Sequence, residues 1–169
     1  MIASLVFATH AAKLVASARD QLTWGTKYDA RYIQLKYPGG DVAKTRGVCT
    51  DVIIRAYRSV GLDLQKLIHE DKKRSPSAYP TGKLDPNIDH RRVPNMVAFL
   101  SRKGTSLPAY RDWQSGDIVW WKLDSGLNHV GLVTDRRGPS GDLTVIHNLS
   151  TPKEEDCLKT WRIHGHYRW

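Results

Sequence analysis

Cys49 stands in the stretch Gly47-Val48-Cys49-Thr50-Asp51, just ahead of a run whose apolar residues Val52, Ile53, Ala56 and Val60 recur at helical spacing. The spacing predicts a helix that opens at Cys49 and stops at Gly61. A sulfur at a helix N-terminus feels partial positive charge, which favours the thiolate, the form that attacks a carbonyl. The unbonded N–H groups there also suit the oxyanion that such an attack creates. Taken alone, Cys49 fits a small buried core residue equally well. Two histidines change the balance. His129 follows the turn Gly126-Leu127-Asn128 and heads an apolar strand, and His147 ends the next one, Leu143-Thr144-Val145-Ile146-His147-Asn148. An imidazole can take the thiol proton, and a third group can orient that imidazole through its second nitrogen. Both His147 and Asn148 carry a suitable group, but adjacent strand residues point to opposite faces, so only one can serve. The chemistry that results is amide hydrolysis through a thioester.

These residues need elements to hold them. Residues 8–22 carry apolar positions at helical spacing, residues 64–73 suit a short helix, and Pro94 opens another over 95–102, closed by Gly104. Pro38-Gly39-Gly40-Asp41 is a turn, and 85–95 is a polar loop. Strands are predicted at Ile118–Leu123, His129–Thr134, Leu143–His147 and Thr160–His164, with turns at 124–126, 137–141 and 150–152. The strand at 129–134 reads as buried on both faces. Helices first and antiparallel strands after make an α+β order. The 169 residues fit one domain over 1–169. Residues 1–10 form a short apolar stretch without a basic leader, and read as a remnant of an export signal or as the first turns of a helix.

A net charge of +9 suits an anionic partner, and bacterial wall polymers are anionic. No helix-turn-helix, zinc-finger spacing or RNA-binding aromatic signature is present, so nucleic acid is not expected. No apolar run is long enough to span a bilayer, so no integral membrane contact is expected either. Two cysteines make no disulfide framework. Cys157, in Glu154-Glu155-Asp156-Cys157, has acidic neighbours that disfavour its thiolate and reads as structural. His164 and His166 form a His-x-His pair with no partner at ligand spacing, so neither metal nor cofactor is expected.

Four motifs occur in order: Gly47-Val48-Cys49-Thr50-Asp51, Ser115-Gly116-Asp117-Ile118-Val119-Trp120-Trp121, His129-Val130-Gly131-Leu132-Val133 and Val145-Ile146-His147. In this the chain resembles the NlpC-type, papain-like cysteine peptidases of bacterial cell walls. The resemblance implies an α+β papain-like fold with N-terminal helices packed on a C-terminal antiparallel sheet. It implies Cys49 as nucleophile, His129 as base, His147 as orienting residue and Tyr37 as a substrate contact. It also implies a periplasmic or secreted monomer that cuts an amide bond in peptidoglycan peptide, with a protein inhibitor as a further partner. An acyltransferase or a non-catalytic wall-binding module on the same scaffold is the alternative. Val48 stands where those enzymes carry an acidic residue, and Thr50-Asp51 where they carry Ser-Gly. The long interval from Cys49 to His129 holds the loop Asp89-His90-Arg91-Arg92, which suits binding of a carboxylate, or a solvated loop with local ion pairs. The chain is also similar to an uncharacterised bacterial family marked by Tyr-Pro-Gly-Gly-Asp, Gly-Val-Cys-Thr-Asp, Asp-Pro-Asn-Ile-Asp-His-Arg-Arg and Gly-His-Tyr-Arg.

Overall fold

Among the described residues, four α-helices and a six-stranded antiparallel sheet make this an α+β protein. The structure is a computed structural model that describes residues 2–80 and 82–169, with side chains from His10 onward. The reading of residues 1–10 as an export remnant rests on Met1 and on side chains outside the described residues. No helix among the described residues is long and apolar enough to cross a membrane.

The helices are α1 (Ile2–Asp20), α2 (Cys49–Arg58), α3 (Leu64–Arg74) and α4 (Val93–Lys103). Two-residue strands β1 (Lys27–Tyr28) and β2 (Arg46–Gly47) pair in parallel just before α2. The main sheet holds β3 (Thr105–Ser106), β4 (Ile118–Lys122), β5 (Asn128–Arg137), β6 (Leu143–Asn148), β7 (Pro152–Glu155) and β8 (Arg162–Arg168), in the order β3-β8-β4-β5-β6-β7.

Helix α2 is the central element. Every residue from Cys49 to Tyr57 is buried, so even its polar side chains need partners. Asp51 supplies the start: its Oδ2 accepts the Val48 N–H at 2.7 Å, half of a capping box, while Val48 itself is extended and has no side-chain acceptor. Arg55, one turn on, donates to Asp41 at 2.9 Å and to the Arg46 carbonyl at 3.1 Å. Helix α3 starts at Asp63, which accepts the Gln65 N–H at 3.2 Å.

Strand alternation divides the sheet into two faces. Ile118, Val130, Leu132 and Ile146 pack with Cys49 and the helices in the larger core. Val119, Trp121, Val133 and Val145 pack on the other side with Cys157, Leu158 and Ile163. Both faces of the central strands are therefore buried, as their unbroken apolar runs predict. Gly131 belongs to the second face, where a Cβ would lie 2.5 Å from Val145 Cγ1 and 3.0 Å from the Trp121 ring.

Two expectations about strands change. Ser150-Thr151-Pro152 reads as a turn, yet Pro152 opens β7, whose remaining residues are Lys153, Glu154 and Glu155. An edge strand of charged residues shows no apolar alternation, so the pattern hides it. The last strand lies at 162–168 and not at 160–164: a register shift between Trp120 and Trp121 leaves His164 as the extra residue, and the strand runs on through Gly165, paired with Trp120.

Candidate functional site

Cys49 occupies the first turn of α2, at the floor of a cleft of about 370 Å³ that also meets Tyr28, Tyr32, Arg91, Arg92 and Asn128. The residue is 5 % exposed. Burial pushes the thiol up to about 11, and the N–H groups of Val130, Thr50 and Cys49 itself oppose that shift by hydrogen bonding to the sulfur. The Val130 contact is informative. Strands β5 and β6 pair at Leu132↔Ile146 and Val133↔Val145, but the pairing does not continue to Val130. There the N–H meets the Cys49 sulfur instead, so the tip of α2 enters where the two strands part.

The two histidines meet across the same parting from the other side. His129 Nε2 lies 3.0 Å from His147 Nδ1, and His147 Nε2 lies 2.8 Å from Glu155 Oε2 on β7. Trp121 stacks on His129 at 5.7 Å between centroids, and Trp161 stands edge-on to His147 at 5.8 Å. An ionised Glu155 accepts the proton on His147 Nε2, so His147 Nδ1 must accept from His129 Nε2–H. The chain of bonds thus leaves His129 Nδ1 as a free lone pair, the form that a base requires. Burial lowers His129 to about 3, helped by His147. Burial also lowers His147, against the pull of Glu155. The resting site therefore holds a neutral thiol and neutral imidazoles.

Of the three residues expected to be catalytic, His129 and His147 are in direct contact. Cys49 lies on the helix side of β5 with its sulfur against Val130, while alternation turns His129 toward the second face. The choice between His147 and Asn148 resolves by the same alternation. Asn148 points to the helix side and donates to the Gly47 carbonyl at 3.1 Å, fastening the approach to Cys49.

The expected substrate contacts separate. Arg91 reaches the cleft, but its guanidinium is held by Asp51 (Nε–Oδ1 3.1 Å, Nη2–Oδ2 3.0 Å) and by the Asp29 carbonyl at 3.1 Å. Asp89 is buried against Lys72 Nζ at 2.6 Å and the Asp85 N–H at 2.9 Å, and holds the loop from within. His90 is 2 % exposed and lies off the cleft wall, lowered to about 4 by burial and by Arg58 and Arg91. Tyr37 lies off the wall as well, with its ring against His69 at 5.1 Å, and the tyrosines of the cleft are Tyr28 and Tyr32. Burial raises Tyr28, and the neighbouring Cys49 adds to the shift.

Glu155 and Asn128 escape the sequence reading. Glu155 sits in a run of acidic residues with no chemistry-bearing spacing, and only the β6–β7 register, His147↔Lys153, brings it beside His147. Asn128 precedes the conspicuous His129, and its Oδ1 accepts from Trp120 Nε1 at 3.1 Å at the cleft wall. Among the described residues one group has metal-ligand character, His147, Glu155 and Cys157.

The comparisons with known proteins correct the family assignment. A family described as Domain of unknown function (DUF1287) matches residues 15–169. The chain is also 49 % identical over 160 residues to "Uncharacterized protein YijF" of Escherichia coli (strain K12), covering 90 % of this chain and 78 % of that protein. The match is to this family and not to the NlpC-type peptidases that the four short motifs suggested. The chain belongs to the DUF1287 family.

Proposed function

We propose that the protein is a cysteine hydrolase that cuts an amide bond in bacterial cell-wall peptide, outside the cytoplasm. One observation carries the reading. A thiol at a helix N-terminus, met by three backbone N–H groups at the floor of an open cleft, enters the same parting of β5 and β6 as a His129–His147–Glu155 relay. In this reading the His129 ring, which rests toward the other face of β5, swings to the sulfur, and its Nδ1 takes the Cys49 proton as sulfur attacks the carbonyl carbon. The N–H groups at the start of α2 hold the oxyanion. The same proton then goes to the leaving amine. Water, giving a proton to His129, next attacks the thioester and frees the acid, and His129 returns that proton to the departing Cys49 sulfur. The charge of +9 draws anionic wall fragments toward the cleft.

A second reading, a non-catalytic wall-binding module, is favoured by two features. Asn128 and not His129 lines the cleft beside Cys49, and burial disfavours the thiolate.

Purified peptidoglycan digested with the protein and read by mass spectrometry of the muropeptides separates the two. The hydrolase reading expects new peptide ends, and loss of activity by a factor on the order of 10⁴ or more in Cys49→Ala. Binding without products, or equal cutting by Cys49→Ala, rules it out.

A further inference from the structure

His147 has a second set of neighbours, and they are of a kind that binds metal. One ring nitrogen of His147, one carboxylate oxygen of Glu155 and the Cys157 sulfur all lie within 4.8 Å of one another. They come from three successive pieces of chain: the end of β6, the end of β7 and the turn after it. The His147 ring and the Cys157 thiol are buried, at 2 % and 6 % exposure, while the Glu155 side chain keeps 42 %. The carboxylate therefore marks a route to solvent. No hydrogen bond to the Cys157 sulfur lowers its pKa, in contrast to Cys49 with its three N–H groups. Packing in the apolar cluster with Val119, Trp121 and Leu158 accounts for the burial of the thiol. It does not account for a carboxylate and an imidazole turned to the same point.

We propose that His147, Glu155 and Cys157 form a binding site for a borderline-soft divalent cation, with Zn²⁺ the best fit. The donor set of one nitrogen, one oxygen and one sulfur suits Zn²⁺, whereas Mg²⁺ and Ca²⁺ take oxygen ligands throughout. The charges close: a thiolate and a carboxylate balance the two positive charges, and a neutral imidazole completes the protein ligands. A buried site requires such a balance. The fourth position faces the Glu155 side, where water can enter. Ligand atoms around tetrahedral zinc stand about 3.3–3.8 Å apart, given bond lengths of about 2.0–2.3 Å. The His147–Glu155 contact of 2.8 Å must open and the widest separation, at most 4.8 Å, must close.

On capture the Cys157 thiol gives its proton to solvent. The proton leaves His147 Nε2, which binds the metal; the proton on His129 Nε2 passes to His147 Nδ1, and His129 takes up a proton at its own Nδ1, so that His147 Nδ1 now donates to His129 Nε2. Trp121 and Trp161, edge-on to His147 at 6.0 and 5.8 Å, fix the ring in place for this bond. Metal binding and the proton relay of the hydrolase reading use the same nitrogen, so they exclude each other at any moment. The metal site itself stands independently of that reading.

The test uses the full-length, metal-stripped protein titrated with Co²⁺, whose bond to a thiolate gives a charge-transfer band in the near ultraviolet. The expected result is a band that saturates at one equivalent, persists in Cys49→Ala, vanishes in Cys157→Ser, and needs at least about 10-fold more Co²⁺ in Glu155→Gln. Circular dichroism of each variant checks its fold. Should Cys157→Ser fail to fold, Glu155→Gln carries the decision by competition against a chromophoric chelator. The proposal is overturned by absence of the band in the parent, by its survival in Cys157→Ser, by its loss in Cys49→Ala, or by an unchanged affinity in Glu155→Gln. Labelling of Cys49 by a thiol reagent in the absence of metal reports separately on the hydrolase reading.

Discussion

The two faces of the central sheet hold two cysteines that are buried alike and supported differently. Cys49 is 5 % exposed and Cys157 6 %, and both are free thiols. On the helix face, backbone N–H groups converge on Cys49, and the cap that aims them is locked by the buried Asp51–Arg91 pair. On the other face, Cys157 sits beside Glu155 and Asp156, which add to burial in raising it to about 12. That face instead fixes imidazoles, through hydrogen bonds and stacked indoles. Burial alone therefore says little about a cysteine. What separates the two is whether donors or acceptors surround the sulfur.

Breaking the base tests the contrast most severely. His129→Gln keeps a side chain able to bond His147 but removes the lone pair that accepts the thiol proton. Under the hydrolase reading kcat/KM on peptidoglycan falls by roughly 10²–10⁴ while the fold persists. A fall below about threefold means that the relay serves packing only. Breaking the support of the other face comes next. Asp51→Ala removes the α2 cap and strands the Arg91 guanidinium in a site where both partners are about 2–3 % exposed. Urea unfolding should show a loss of about 3–5 kcal/mol, and a loss under 1 kcal/mol contradicts a buried ion pair. A smaller effect belongs to Glu155→Gln. The amide oxygen still accepts from His147 Nε2, so the tautomers survive and only the charge is lost. The expected cost is about 10-fold in kcat at unchanged KM, with Glu155→Ala costing more.

How much of this was legible follows from range. Helix α2 was legible from its start because apolar spacing and the stop at Gly61 are local signals, and β4, β5 and β6 were legible from uninterrupted apolar runs. The contact of His129 with His147 was readable as a hairpin, given the right register. Arg91 with Asp51, 40 residues apart, was not, because either charge alone looks like a solvated surface group. Tyr37 was named from the resemblance, and nothing in the sequence singled out Tyr28 or Tyr32, because the irregular segment that carries them to the cleft shows no periodic pattern. Glu155 stayed hidden because β7 is a polar edge strand. The family assignment went astray for a related reason: four short motifs around the core report a local arrangement, whereas the match over residues 15–169 weighs the loops as well.

The mildest test asks whether each face carries its own share of the pH dependence of stability. His90 on the helix side is lowered to about 4 and His129 on the far side to about 3, both first by burial. Above about pH 6.5 these rings are neutral whether the chain is folded or not, and they contribute nothing to the slope. As pH falls below that value the unfolded chain binds protons that the folded one refuses. Each ring then costs up to about 1.4 kcal/mol per pH unit until its folded pKa is reached. Carboxylates lowered by their partners, such as Glu154 beside Arg19 and Asp71 against Arg102, act in a lower window, below their ordinary range near 4. Urea unfolding between about pH 6 and 4.5 therefore isolates the histidines. His90→Gln and His129→Gln should each flatten the slope by up to about 1.4 kcal/mol per pH unit, and by the sum when combined, since the sites share no bonded partner. A slope that neither variant changes would mean that these rings take up protons in the folded protein as readily as in the unfolded chain, and burial on both faces would then be looser than their exposure of 2 % implies.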